Sequence, residues 1–460
     1  MIVMKFGGTS VGSAEAIRRV GDIVAGRLDR RPLVVVSAVA GVTDQLVALS
    51  LTAPGRADQA DEIIEGLMDL HRSLTLQLEL EDAELECAAG TATEMLHRCC
   101  RQLRERGREH KEVVDELLGC GEFLSATLLA AFLRKLGVSS RMVDSRQIIK
   151  TDSRFGMAQP NLEEALPLAR RFLLPLLEGG IVPVCQGFVG SDRKGRCTTL
   201  GRGGSDYSAT LMGSLIGAEC VEIWSDVDGV LTADPTLVPN AQRIRQMTFQ
   251  EAAELAYFGA RVLHPSTLLP AVSKEIPVLV LNSTRPDQPG TRIGRRIPEM
   301  SSGTLAKSIA YKENVTVITV HSTRMLMSHG FLAAIFEVFS RHQTSVDLVS
   351  TSEVSVSLTI DNVENLQAIV GELSRFAQVE VAHGKAIVCV VGERMRRTKG
   401  APAKIFGQLL DVEIHLISQG ASEINISFVI DEGEIARVVR RLHEFLFERQ
   451  LQRREEHQTC

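Results

Sequence analysis

The chain has 460 residues, of which 44% are apolar and 23% charged, with a formal charge of −6; this fits a globular protein of two to four domains at roughly 100 to 200 residues each. The acidic balance, with three tyrosines and one tryptophan, supplies neither the basic footprint nor the stacking platforms of a nucleic-acid binder. No apolar run approaches the roughly 18 residues of a membrane span, the opening MIVMKFGGTS is not a basic leader followed by a long apolar stretch, and nine cysteines are scattered without metal spacing, so a cytoplasmic protein with reduced thiols and no nucleic-acid or membrane partner is expected.

In chain order, short β-branched runs stand at Ile2–Phe6, Leu33–Ala38, Val182–Phe188, Val221–Trp224 and Val278–Leu281, with helical stretches between them. Asp58–Lys111, rich in Leu, Glu, Ala and Arg, reads as helices. The alternation predicts an α/β fold, a mainly parallel sheet with helices on both faces. Near Asn282 the segment STRPDQPGTRIG carries Pro and Gly punctuation and reads as a linker. The first domain is therefore expected over residues 1–292 and the second over 304–460. Beyond the boundary, VDLVSTSEVSVSLTI (Val346–Ile360) repeats as IHLISQGASEINISFVI (Ile414–Ile430). Amphipathic stretches precede the copies at Gly330–His342 and Pro402–Val412, and others follow at Asn365–Phe376 and Glu434–Phe447. Each unit reads as a small α/β module with paired strands.

Four segments carry chemistry. KFGGTSVG (Lys5–Gly12) runs a strand into a glycine pair, where consecutive N–H groups form an anion nest and Lys5 adds a point charge for a phosphoryl group. A plain Gly-Gly turn is the alternative, since the Walker spacing is absent. TTLGRGGSDYSAT (Thr198–Thr210) surrounds Arg202 with glycines and ends in Ser205 and Asp206 before an apolar helix. A helix N-terminus beside a guanidinium suits a carboxylate; a glycine turn with a Ser or Asp cap is the alternative. WSDVDGVLTADP (Trp224–Pro235) puts Asp226 at a strand end, where open α/β sheets place ligand groups. FGARVLHP (Phe258–Pro265) carries Arg261 and His264 before a proline.

These motifs, with VVVSAVAGVTD (Val34–Asp44), GCGE (Gly119–Glu122) and QGFVG, stand in the order and rough spacing of the aspartate kinases. The chain resembles that family, within the amino-acid kinase superfamily, over nearly its whole length. The resemblance implies an amino-acid kinase fold followed by two ACT modules, the first about 313–384 and the second about 304–312 plus 385–447. It implies transfer of phosphate from Mg-ATP to L-aspartate, giving 4-phospho-L-aspartate on the way to diaminopimelate, lysine, threonine and methionine. Lys5, Phe6, Gly7, Gly8, Ser37, Ser225, Asp226, Leu231, Thr236, Arg261 and Val262 are the implied nucleotide contacts. Thr43, Glu122, Arg202, Gly203, Gly204 and Ser205 are the implied aspartate contacts, with Lys5 and Asp206 catalytic; Asp206 orients Lys5 or meets the metal. Arg261 stands where the family usually has Lys, Leu231 where some members have Tyr, and Thr236 where some have Arg. All three departures fall on the nucleotide side.

The resemblance also places an allosteric site at Met325, Ser328, Phe331, Leu332, Ser345, Val346, Asp347, Ser352 and Glu353, as in lysine-inhibited members, and implies pairing of ACT modules into a homodimer or tetramer. One clue is independent of it. Asp347 of the first repeat is His415 in the second, so only the first pairs a strand carboxylate with the following Glu353, an arrangement suited to the two cationic groups of lysine; a plain surface strand residue is the alternative for Asp347, and threonine or no effector the alternatives to lysine. A different amino-acid kinase, or an ACT sensor without activity, are the competing readings.

Overall fold

The computed structural model describes residues 1–259, 265–295, 305–322 and 329–448. The chain divides into two compact units, Met1–Val230 with Arg245–Phe249 and Val262–Arg296, and Leu231–Ile244 with Gln250–Arg261 and Ile297–Cys460. The contacts therefore do not follow a single linear boundary. Ala233 and Val238 enter the same core cluster as Ile309, Val388 and Phe428, so part of the expected first domain is packed into the second unit. STRPDQPGTRIG is not a linker. Its last four residues form a strand, antiparallel to Val278–Asn282, and the buried Thr291 hydroxyl accepts from Val230 N at 2.9 Å. Pro and Gly mark a hairpin turn as readily as a linker.

Among its described residues the first unit holds ten strands: β1 (Ile2–Phe6), β2 (Pro32–Val36), β3 (Ser140–Val143), β4 (Val182–Gln186), β5 (Val189–Ser191), β6 (Cys197–Thr199), β7 (Cys220–Ser225), β8 (Gln246–Thr248), β9 (Val278–Asn282) and β10 (Thr291–Gly294). Eight of them make one sheet in the order β3-β4-β2-β1-β7-β9-β10-β8, while β5 and β6 form a separate hairpin. All neighbours in the large sheet are parallel except β9 and β10. Every residue of β1, β2 and β4 is buried, which is why these strands read as continuous apolar runs and not as alternating ones. Ser13 caps helix Ala14–Ala25 by accepting from Ala16 N, and Asp82 caps Ala83–Arg106 by accepting from Leu85 N.

Among the described residues one stretch, Lys111–Lys135, is long and apolar enough by composition to cross a membrane, and 83% of its most apolar part is buried inside the structure. This corrects the expectation that no apolar run approaches such a length: a single carboxylate, Glu122, stands within Leu117–Leu133. The stretch consists of helices Lys111–Leu118 and Cys120–Lys135, meeting at Gly119, and Leu117, Leu124, Leu128 and Phe132 complete the core of the first unit. The eight described cysteines are all free, seven of them buried.

The second unit is built on an antiparallel six-stranded sheet, with β11 (Ser308–His321), β12 (Val349–Thr351), β13 (Ser355–Ile360), β14 (Gln378–Val391), β15 (Leu416–Gln419) and β16 (Asn425–Asp431) in the order β12-β13-β11-β14-β16-β15. Strands β11 and β14 are 14 residues each, and their pairing shifts register between Lys312 and Val317. On one side of that shift β13 pairs with Thr316–His321; on the other β16 pairs with Lys385–Val391. Helices Phe331–Arg341 and Leu366–Leu373 go with the first repeat, and Ala401–Phe406 and Ile435–His443 with the second. The stretch expected to be helical over Pro402–Val412 stops at Phe406.

Candidate active site

Parallel strands bring their carboxyl ends to one edge, and ligands of open α/β sheets lie outside that edge. Lys5 stands near the end of β1, its side chain 11% exposed and its Nζ 2.6 Å from Asp206 Oδ1. That oxygen is buried and has no partner in hydrogen-bonding geometry, so the pair is held by charge. The turn after β1 is fixed at both sides, Gly7 N donating to Trp224 O at 3.0 Å and Ala40 N to Gly8 O at 3.2 Å. Ser37, just past β2, donates its N–H to Phe6 O.

Arg202 is exposed between Gly201 and Gly203, which have φ of 79° and 70°. Gly203 caps helix Gly204–Ile216 in the left-handed conformation, where a side chain would be strained. The loop therefore aims free N–H groups and a guanidinium at the same space. Glu122 approaches from the first turn of Cys120–Lys135. It is 3% exposed, and its Oε2 is buried without a hydrogen-bond partner. Burial lifts its carboxyl to about 7, against the opposing pull of backbone donors at Glu122 and Ala38 and of the Lys5 charge.

A cleft of about 300 Å³ unites Lys5, Ser37, Thr43, Glu122 and Arg202–Asp206. Phe188 and Gly201 also line it, and the sequence reading assigned neither. Phe188 carries a positive φ of 68°, which no residue pattern announces; Gly201 could have been found as the glycine before Arg202. Phe6, Gly7, Gly8, Ser225 and Asp226 sit at strand ends or turns of the same unit, Asn282 Nδ2 donating to Asp226 O at 3.3 Å. Leu231 and Thr236 belong to the second unit, where Leu231 O accepts from Ser308 Oγ and Thr236 is bonded to Asp234. Arg261 and Val262 lie outside the described residues. With one lysine, one arginine and two carboxylates around a glycine-lined helix N-terminus, the cleft is equipped for a small zwitterion next to a phosphate.

Of the expected allosteric residues, Met325 and Ser328 lie outside the described residues. Phe331 and Leu332 open helix Phe331–Arg341, Ser345 and Val346 precede Asp347 ahead of β12, and Ser352 and Glu353 form the β12–β13 turn. The expected clamp of Asp347 with Glu353 is not formed within one chain. The two flank β12, each two residues beyond its end, Asp347 N donating to Thr359 O while Glu353 lies in the turn to β13. The carboxylate that does join Asp347 is Asp361, through Lys312 Nζ at 2.9 and 2.7 Å. Tyr257 OH also donates to Asp347 Oδ1 at 2.8 Å. The other oxygen, Oδ2, is buried without a hydrogen-bond partner, and the side chain is 3% exposed. The second repeat has the corresponding group in Lys385, which meets His415 Nε2 at 3.0 Å and Asp431 at 2.5 Å.

Comparison with known proteins first fixes the class: residues 1–282 match the amino acid kinase family and residues 388–446 the ACT domain. The lysine-sensitive aspartokinase 3 of Escherichia coli is 39% identical over 97% of this chain and 99% of its own. The crystal structure of E. coli aspartokinase III with aspartate and ADP (R-state) covers 97% of this chain and 100% of its own with a TM-score of 0.86. The structure with lysine and aspartate (T-state) covers 97% and 99% with a TM-score of 0.79. The chain belongs to the aspartokinase family.

Proposed function

We propose that the cleft transfers the γ-phosphoryl group of ATP to the β-carboxylate of L-aspartate, forming ADP and 4-phospho-L-aspartate. The observation that carries this reading is the meeting of Glu122, the Arg202 loop and Lys5 in one cleft. Arg202 and the helix N–H groups take the α-carboxylate, Glu122 takes the α-ammonium, and Thr43 and Ser205 complete the seat. The β-carboxylate is ionised at neutral pH, its reference pKa being about 4, so no general base is needed. A carboxylate oxygen attacks the γ-phosphorus, the bond to the β–γ bridging oxygen breaks, and its electron pair leaves with ADP. Lys5 and the glycine-turn N–H groups offset the shifting charge. Asp206, a carboxylate on the rim of the same cleft, is the residue that would hold Mg²⁺, which commonly takes one or two carboxylates with substrate phosphates. When bound, Mg²⁺ supplies positive charge along the phosphates. ADP release from Mg-ATP with L-aspartate as sole acceptor tests the reading; no aspartate-dependent release from folded protein would refute it.

The Glu122 carboxyl gives a pH signature. An ammonium ligand needs the ionised form, so aspartate affinity is present above pH 7 and lost as pH falls through the value of about 7. KM for aspartate is expected to rise below that point, towards about tenfold per pH unit, and Glu122→Gln should raise KM throughout and flatten the profile. Steady-state KM from about pH 5.5 to 8.5 checks this.

L-lysine is the effector we assign to the first repeat, as the name of the E. coli relative states for that protein. Asp347 and Asp361 flank Lys312, whereas Lys385 and His415 share Asp431, with the exposed Glu413 3.8 Å from His415; what distinguishes the first repeat is the buried carboxylate of Asp347 in place of a histidine, which suits a cationic ligand. Asp347 and Glu353 lie beyond opposite ends of β12, and we infer that a ligand reaching both is shared between the two chains of a homodimer. Asp347→Asn is expected to raise the half-inhibitory lysine concentration about tenfold or more, the worth of one charged hydrogen bond. Inhibition curves decide it, and an unchanged midpoint would remove Asp347 from the effector site.

A further inference from the structure

Asp115 is a buried carboxylate, 1% exposed, without an ion pair among the described residues. Its Oδ2 accepts from Thr199 N at 2.7 Å and from Gly156 N at 2.9 Å, and its Oδ1 accepts from the Thr199 hydroxyl at 2.9 Å. Burial raises its carboxyl above the ordinary range, against the pull of those donors. These bonds join three segments. Thr199 ends β6 and is followed directly by Leu200–Asp206, the Arg202 loop. Gly156 lies in the segment whose carbonyl oxygen would be 3.2 Å from a Cβ at Gly201, and Ala158 N donates to Thr199 O. Asp115 itself is on helix Lys111–Leu118, whose continuation carries Glu122 in its first turn. At the junction between these helices, a Cβ on Gly119 would come within 3.0 Å of Val189 and 3.3 Å of Cys197, so the β5–β6 hairpin is seated directly on the helix.

We propose that Asp115 is a positioning residue for the amino-acid substrate: its carboxylate locks the hairpin entering the Arg202 loop to the helix carrying Glu122, and so sets the separation of the two groups that grip the ends of aspartate. The proposal rests on the reading of that cleft as the aspartate site. Asp115 touches no substrate, and the clamp needs acceptor oxygens rather than charge. Asparagine can replace it, with its carbonyl oxygen taking the two backbone N–H groups and its NH₂ donating to a reoriented Thr199 hydroxyl.

The test measures kcat, both KM values and the melting temperature for Asp115→Ala, Asp115→Asn, Thr199→Val and Arg202→Ala. Asp115→Ala is expected to raise KM for aspartate by at least about tenfold with KM for ATP within about twofold, since unpaired buried donors let the loop shift. Asp115→Asn should recover most of the loss. Should Asp115→Ala not fold, Thr199→Val, which removes one of the three bonds, carries the test with an expected rise of about threefold. A folded variant with wild-type KM for aspartate, a loss spread evenly over kcat and both KM values, or Asp115→Asn as impaired as alanine would each overturn the clamp. If Arg202→Ala also leaves KM for aspartate unchanged, the reading of the cleft falls with it; if only Arg202→Ala raises KM, the clamp alone falls.

Discussion

Replacing Lys5 with alanine is expected to lower kcat by roughly 10²–10³-fold, the usual cost of removing one donor aimed at charge that develops in the transition state. The geometry makes this the largest single effect. The ammonium is carried by a strand whose five residues are all buried, so it is held in place without the entropy of a surface lysine. Asp206 at 2.6 Å fixes its head. Alanine removes the cation and also leaves the Asp206 carboxylate uncompensated beside incoming phosphates, which adds repulsion. KM for aspartate should move only a few-fold, because Arg202 and Glu122 remain. Lys5→Arg should not rescue, the planar guanidinium being neither as compact nor as easily turned as an ammonium. Steady-state kinetics on protein with an unchanged melting curve checks this, and a loss below about tenfold would place the phosphoryl-stabilising charge elsewhere.

Arg202→Ala is expected to act on binding, raising KM for aspartate about 100-fold, or about 3 kcal/mol, for the loss of two charge-assisted hydrogen bonds. The side chain is exposed at a loop tip, so the fold should not register the change. The helix N-terminus behind it keeps some hold on the carboxylate, which limits the loss. Arg202→Lys should fall between, keeping the charge without the fork. Unchanged KM for ATP alongside the raised KM for aspartate separates substrate binding from a general loss of activity.

What could be read from residues alone follows from how local each feature is. The Lys5 turn and the Arg202 loop are announced by glycines, because chain reversal and close approach to anions demand them at fixed offsets. Glu122 is different. GCGE looks unremarkable, and only its place in the first turn of a buried helix strips the carboxylate of water. The strand at Thr291–Gly294 was hidden by its own punctuation. The packing of Ala233 and Val238 with Phe428 depends on contacts nearly two hundred residues apart, which no local pattern carries. Asp347 stands out in the sequence against His415 of the second repeat, but its partners Lys312 and Tyr257 come from distant segments that no local pattern links to it.

The shared strands of the second unit bear on how such a protein can change over generations. Since β11 and β14 each lend half their length to either repeat, losing one copy by recombination would strip a strand from the survivor, and exchanging one for a foreign module would leave mismatched half-strands. The duplication is thus locked in, and new effector chemistry has to arise by single substitutions inside the existing frame, of the kind that separates Asp347 from His415.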